Sequence, residues 1–196
     1  QSLSVYALAK ARQAEYKRLP RPLDLLAFGN PLYDDAAESK ALRKVRLRSS
    51  PTLSEDQLPA TRAAWPALPG TEVEVAAIRR LLSRGSTRLA AQASESELQE
   101  LNRSGALKNY RILHFAVHGN LSTQDPALSS LVLSQRNLLP GTDGYVTAAE
   151  WQGYELRSDL TVLSACETGL GKSLSGEGVM GLPFALFLAG NVNTVL

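Results

Sequence analysis

Residues 110–120 read YRILHFAVHGN. The run from Tyr110 to Val117 is apolar nearly throughout and does not alternate with polar residues. That pattern predicts a strand buried on both faces, ending at the pair His118-Gly119. Two other stretches have the same character. SDLTVLSA (Ser158–Ala165) predicts a second buried strand that ends at Cys166, and LDLLAFGNPLY (Leu23–Tyr33) predicts a third, stopped by Gly29, Asn30 and Pro31. Strands of this kind need helices above and below them. The fold class expected is therefore α/β, with a mostly parallel central sheet covered on both faces.

The intervening segments supply those helices. Residues 3–19 read as a short helix, or as a strand followed by one. LPGTEVEVAAIRRLLSRG predicts a helix capped by Thr71, with Glu74 three residues on, and closed by Gly85. TRLAA (Thr87–Ala91) reads as a short strand. Ser94 with Glu97 forms a second capping pair and opens a helix that runs to about Ser104. LSSLVLSQ reads as a strand, and Thr147 in GYVTAAEWQGYEL starts a short helix. VMGLPFALFLAG is an apolar helix, and NVNTVL begins another strand. Residues 34–69 are charged, Pro-bearing and weakly periodic, which predicts a long surface loop with room for one short helix.

At 196 residues the chain is long enough for one large domain with a substantial core. A net charge of +2 advertises neither a nucleic-acid nor a membrane partner, and no apolar run approaches the roughly 18–20 residues of a membrane span. The single cysteine, Cys166, excludes an internal disulfide framework and fits a reducing, cytoplasmic compartment. The first residues, QSLSVYALAKARQ, lack both an initiator Met and a secretory apolar centre, so the chain reads as a piece of a longer one.

Two predicted strands finish on reactive side chains, His118 and Cys166. In open α/β sheets, ligands bind beyond the carboxyl ends of the strands. A thiol needs a base or a positive charge beside it to become a good nucleophile at neutral pH, and His118 would supply one. The backbone N–H groups of Gly119 and Cys166 are candidate donors to a substrate oxyanion. A single Cys and a single His are as readily plain core residues, so from the residues alone both readings stay open. Other motifs fail. The GKS at Gly171–Ser173 lacks the earlier glycine of a phosphate loop, because Cys166 stands there. Gly176, Gly178 and Gly181 fit G-x-G-x-x-G without following a strand directly. His114 and His118, four apart, would share a strand face, but zinc would want further ligands. No metal or cofactor is expected, and His114 reads as a core residue or as support for the site.

The blocks ILHFAVHGNL, LVLS, DGYVTAAEW and DLTVLSACETGLGKSLSGEGVMGLPFALFLAG, in this order, resemble the CHAT domain, a caspase-like domain often associated with tetratricopeptide repeats. LLAFGNPLY and LPGTEVEVAAIRRLL resemble its amino-terminal part, so the likeness extends over the chain from about Leu23. It implies a caspase-like three-layer α/β/α sandwich, related to separases and metacaspases, formed as a single domain over residues 1–196. It also implies a cysteine endopeptidase acting on a protein or peptide substrate, with Cys166 as nucleophile and His118 handling the protons. The separation of the two is close to the roughly 50 residues between the corresponding pair in caspases. Gly119 and Cys166 amides would stabilise the oxyanion, and Glu167 and Asp125 are candidate acidic pocket residues for a basic side chain. The alternative is a catalytically silent scaffold that binds proteins. A tetratricopeptide-repeat region or another regulatory partner would lie outside this chain. Similar domains continue beyond NVNTVL, so the domain is expected to be incomplete at its carboxyl-terminal end. Asn191 and Asn193 stand where similar sequences favour small or apolar residues, so the packing there is expected to differ.

Overall fold

The computed structural model describes residues 3–33, 65–122, 125–164 and 177–196, with side chains of the last stretch from residue 181 onward. In chain order the elements are α1 (Leu3–Tyr16), β1 (Leu23–Pro31), α2 (Pro69–Leu81), β2 (Gly85–Ala90), α3 (Glu95–Arg103), β3 (Tyr110–Ala116), β4 (His118–Asn120), β5 (Ser130–Val132), β6 (Tyr145–Thr147), β7 (Leu160–Leu163), α4 (Glu177–Ala189) and β8 (Asn193–Val195). Five strands form one parallel sheet in the order β2-β1-β3-β7-β8. Leu25 of β1 pairs with Gly85 on one side and Ile112 on the other, and Ile112 pairs in turn with Leu160.

Side-chain alternation divides the core. Leu26, Phe28, Leu113, Phe115 and Leu163 point into a large apolar layer with Leu98, Leu101, Trp151, Leu182 and Leu186. Phe28 and Phe115 stack with centroids 5.1 Å apart, and the Trp151 ring meets Phe115 edge-on at 5.9 Å. On the opposite face Leu25, Ala27 and Ala116 pack under Val75, Ile78 and Leu82 of the α2 region. The split follows from handedness. The β1–α2–β2 crossover steps outward in one direction, and β2–α3–β3 steps back past β1 in the other. Both crossovers are right-handed only if α2 and α3 lie on opposite faces. The result is the three-layer α/β/α arrangement expected from the sequence.

Several local expectations change. Helix α2 begins at Pro69, with Leu68 at the capping position and no side-chain cap. Proline is pre-set for the first turn and has no N–H to lose there. Thr71, expected to cap, instead donates its hydroxyl to Leu68 O (2.8 Å) and accepts the Asn30 N–H (2.8 Å). Gly85 does not close the helix. It opens β2, where a Cβ would stand 2.9 Å from Leu25 atoms. Ser94 does cap α3, accepting the Glu97 N–H, but Glu97 turns its carboxylate to Arg88 (2.6 Å). A fully reciprocal capping pair forms at Thr147 and Glu150. Each side chain accepts the other's N–H, at 2.7 and 3.2 Å.

A second, three-stranded antiparallel sheet has the order β4-β5-β6; of its strands only β5, within LSSLVLSQ, is expected from the sequence. Each strand has only three residues, too few to show a period. The expected strand Tyr110–Val117 stops at Ala116, Val117 bends, and His118 starts β4. At the carboxyl-terminal end the out-of-pattern Asn191 is 1% exposed. Its carboxamide accepts from the Ser158 hydroxyl (2.7 Å) and donates to Asn193 O (2.6 Å) and Thr194 Oγ1 (2.9 Å). A buried polar group fully paired in this way costs little.

Candidate active site

The strand order reverses direction between β1 and β3, so these two strands flank the switch point where open α/β sheets place their ligands. Tyr33 lies just past the end of β1, and His118 just past the end of β3. Their rings meet with centroids 5.1 Å apart. Trp65 lies against the imidazole from another side, at 5.0 Å. The indole donates to the Tyr145 hydroxyl (3.1 Å). Tyr33, Val132, Tyr145, Trp65 and Leu68 thus form a separate apolar cluster around the imidazole, which is buried.

The decisive contact is polar. His118 Nε2 lies 2.8 Å from the carbonyl oxygen of Pro66. A carbonyl only accepts, so Nε2 carries the proton in the neutral ring, and Nδ1 holds the basic lone pair. A main-chain oxygen therefore fixes the tautomer, the role a carboxylate plays in many triads. The His118 N–H donates to the Tyr33 hydroxyl (3.3 Å), which itself donates to Val132 O (3.0 Å).

Gly119 pairs with Leu131 in the small sheet. Leu133 N–H donates to Gly144 O, and Ala148 N–H to Ser129 O, so the odd-numbered residues of β5 turn their main-chain groups toward β6. Bonded directions alternate along a strand. His118 and Asn120 then face β5, and the Gly119 N–H and C=O face the outer edge of β4.

His114 does not share a strand face with His118, because the bend at Val117 separates the two strands. Its Nε2 meets Glu74 Oε1 of α2 at 2.9 Å. Burial pushes the His114 pKa below its ordinary value, and the Glu74 carboxylate pulls it partway back. Asp125 is exposed. Its Oδ1 accepts the Ala127 N–H (3.0 Å), capping the short 3-10 turn Pro126–Leu128. That turn abuts α4 at Gly181, where a Cβ would stand 2.5 Å from Pro126 O. Cys166, Glu167 and the Gly171–Ser173 stretch lie outside the described residues. The strand leading to them, β7, is described through Leu163, which pairs with Phe115 of β3. Among the described residues no group of three or more His, Cys, Asp or Glu could hold a metal, and no helix is long and apolar enough to cross a membrane.

The chain matches the CHAT domain over residues 1–196, its whole length. It belongs to the CHAT domain family. This family is caspase-like and related to peptidases, and the parallel sheet with helices on both faces agrees with that fold. No curated protein matches the chain. In this CHAT domain, the sequence pointed to His118 but not to Tyr33, Trp65 and Pro66, which surround it. The available signal was the apolar cluster WPALP (Trp65–Pro69) inside a stretch read as surface loop.

Proposed function

We propose that this CHAT domain is a cysteine endopeptidase in which His118 is the general base and Cys166 the nucleophile. The observation that carries the reading is the anchoring of His118 Nε2–H on the Pro66 carbonyl, just beyond β3 at the switch point. That leaves Nδ1 as the proton acceptor. Register adds support: Phe115 and Leu163 are paired, and His118 and Cys166 each follow their strand's member of that pair by three residues.

In the proposed reaction His118 takes the thiol proton, and the thiolate of Cys166 attacks the scissile carbonyl carbon. The imidazolium then protonates the leaving amine. Water, deprotonated by the same ring, hydrolyses the thioester and restores the thiol. The N–H groups of Gly119 and Cys166 would hold the oxyanion. The outward-facing Gly119 amide suits that role. Glu167 and Asp125 are proposed to attract a basic side chain before the scissile bond. The substrate would be a protein or peptide, and regulation would come from a tetratricopeptide-repeat region or another partner outside this chain. The lone cysteine suits a reducing, cytoplasmic setting.

One observation favours a second reading, a silent protein-binding scaffold: His118 is only 2% exposed. Alkylation separates the two. Cys166 is labelled with iodoacetamide across pH 5–9 in the unaltered chain and in His118→Ala, with circular dichroism to check folding. The peptidase reading expects a thiolate well below the free-thiol pKa of about 8.5, and a rate at pH 7 that drops about tenfold or more in His118→Ala. A Cys166 that titrates like a free thiol in both proteins supports the scaffold.

A further inference from the structure

Tyr33 occupies an unusual place in the small sheet. His118 of β4 and Val132 of β5 are register partners, with main-chain groups turned toward each other. In an antiparallel ladder such a pair bonds directly, N–H to O=C. Here the tyrosine hydroxyl stands between them, accepting from the His118 N–H and donating to Val132 O. Tyr33 comes from the end of β1 in the large sheet, so one oxygen ties the switch point of that sheet to the first rung of the small one. The same residue lays its ring against the imidazole. Burial pushes its phenol pKa upward, so the hydroxyl keeps the proton it donates.

We infer that Tyr33 is a positioning residue for His118: its hydroxyl, interposed between the His118 N–H and the Val132 carbonyl, sets where the imidazole meets the Pro66 carbonyl. The main chain of His118 is held by Tyr33, the Nε2 edge of its ring by Pro66, and its ring faces by Tyr33 and Trp65. Take away the hydroxyl and the His118 N–H and the Val132 carbonyl each lose the bond to it, so the first rung must readjust. His118 then moves while Pro66 does not, and the Nε2–H···O bond that fixes the tautomer lengthens. The consequence for catalysis rests on the peptidase reading. The consequence for the ring does not.

The test is Tyr33→Phe, which keeps the aromatic face and removes one oxygen. Nitrogen-15 spectra of the His118 ring report the tautomer directly. The unaltered chain is expected to show a protonated Nε2 and an unprotonated Nδ1. Tyr33→Phe is expected to move both signals toward the averaged value. Alkylation of Cys166 at pH 7 is expected to slow about ten- to a hundredfold, the size a small misplacement of a reacting group produces. If the variant is merely less stable, with His118 ring signals unchanged, the inference is wrong. Should Tyr33→Phe fail to fold, hydrogen exchange of the His118 N–H in the unaltered chain decides: slow exchange supports the interposed hydroxyl, and exchange as fast as an exposed amide overturns it. If Cys166 shows no activated thiolate even in the unaltered chain, the peptidase reading fails, while the ring spectra still judge Tyr33.

Discussion

A single buried carboxylate illustrates what one residue does in this fold. Glu95 opens α3, yet is 3% exposed. Its Oε2 accepts the N–H groups of Asp143 (2.9 Å) and Gly144 (2.8 Å), which fastens the turn ahead of β6 to the helix start. Burial pushes its pKa up, the two amides pull it down, and the charges of Asp143 and Glu150 push it up again. The valuable feature is the acceptor oxygen, not the charge. Glu95→Gln is therefore expected to stay within about 1 kcal/mol of the original, since Gln99 can reorient its amide to meet it. Glu95→Ala orphans two main-chain donors and is expected to cost about 2–4 kcal/mol. Urea denaturation of the two variants measures the contrast, and equal losses would count against this account.

At the scale of elements, the expected helices and core strands are present; the ends of α3 fall where expected, whereas those of α2 do not. Thr71 and Glu97 both had local capping roles available. Thr71 serves the Asn30 N–H at the end of β1, and Glu97 serves Arg88 on β2. The end of α4 is set by packing as well. Gly190 adopts φ +116, and a Cβ there would strike the Leu156 carbonyl and the Tyr16 hydroxyl. Tyr16 of α1 donates to Gly190 O (2.8 Å), and Arg12 donates to Phe187 O (2.5 Å) and Asn191 O (3.0 Å), so α1 caps the carboxyl end of α4. Gly190→Ala combines a disfavoured backbone with overpacking and is expected to cost about 2–4 kcal/mol. Thermal unfolding checks it, and a loss below about 1 kcal/mol would show that the α1–α4 junction yields easily.

For the whole molecule, the His114–Glu74 contact links the core to pH. Unfolded histidine titrates near pH 6.5, and burial holds the folded His114 below that. Between the two values the unfolded chain binds more protons, so stability rises with pH across that window. The contribution is fully present above about pH 6.5 and is lost as pH falls toward the folded value. Glu95 acts in the opposite sense, because its raised pKa lets the folded chain bind more protons as pH falls. Comparison with His114→Gln isolates the histidine. The unaltered chain is expected to lose stability more steeply between pH 7 and 5 than the variant, measured by urea midpoints. Parallel slopes would mean that His114 carries none of the pH dependence.

The sequence by itself determined the layered parallel sheet, since largely apolar runs such as Leu25–Phe28 and Ile112–Ala116, the latter interrupted only by His114, are stable only between two covering layers. It also singled out His118 and Cys166 as strand-end residues. Of the small sheet only β5, within LSSLVLSQ, was legible, because three-residue strands such as β4 and β6 carry no period. The surroundings of His118 were hidden because they come from far along the chain: Pro66 is 52 residues away and Tyr33 is 85. Local pattern reports which face of a strand is buried. Only the tertiary structure brings the carbonyl of Pro66 to one ring nitrogen and the hydroxyl of Tyr33 to the main chain beside it, because long-range hydrogen bonds depend on the positions of whole elements.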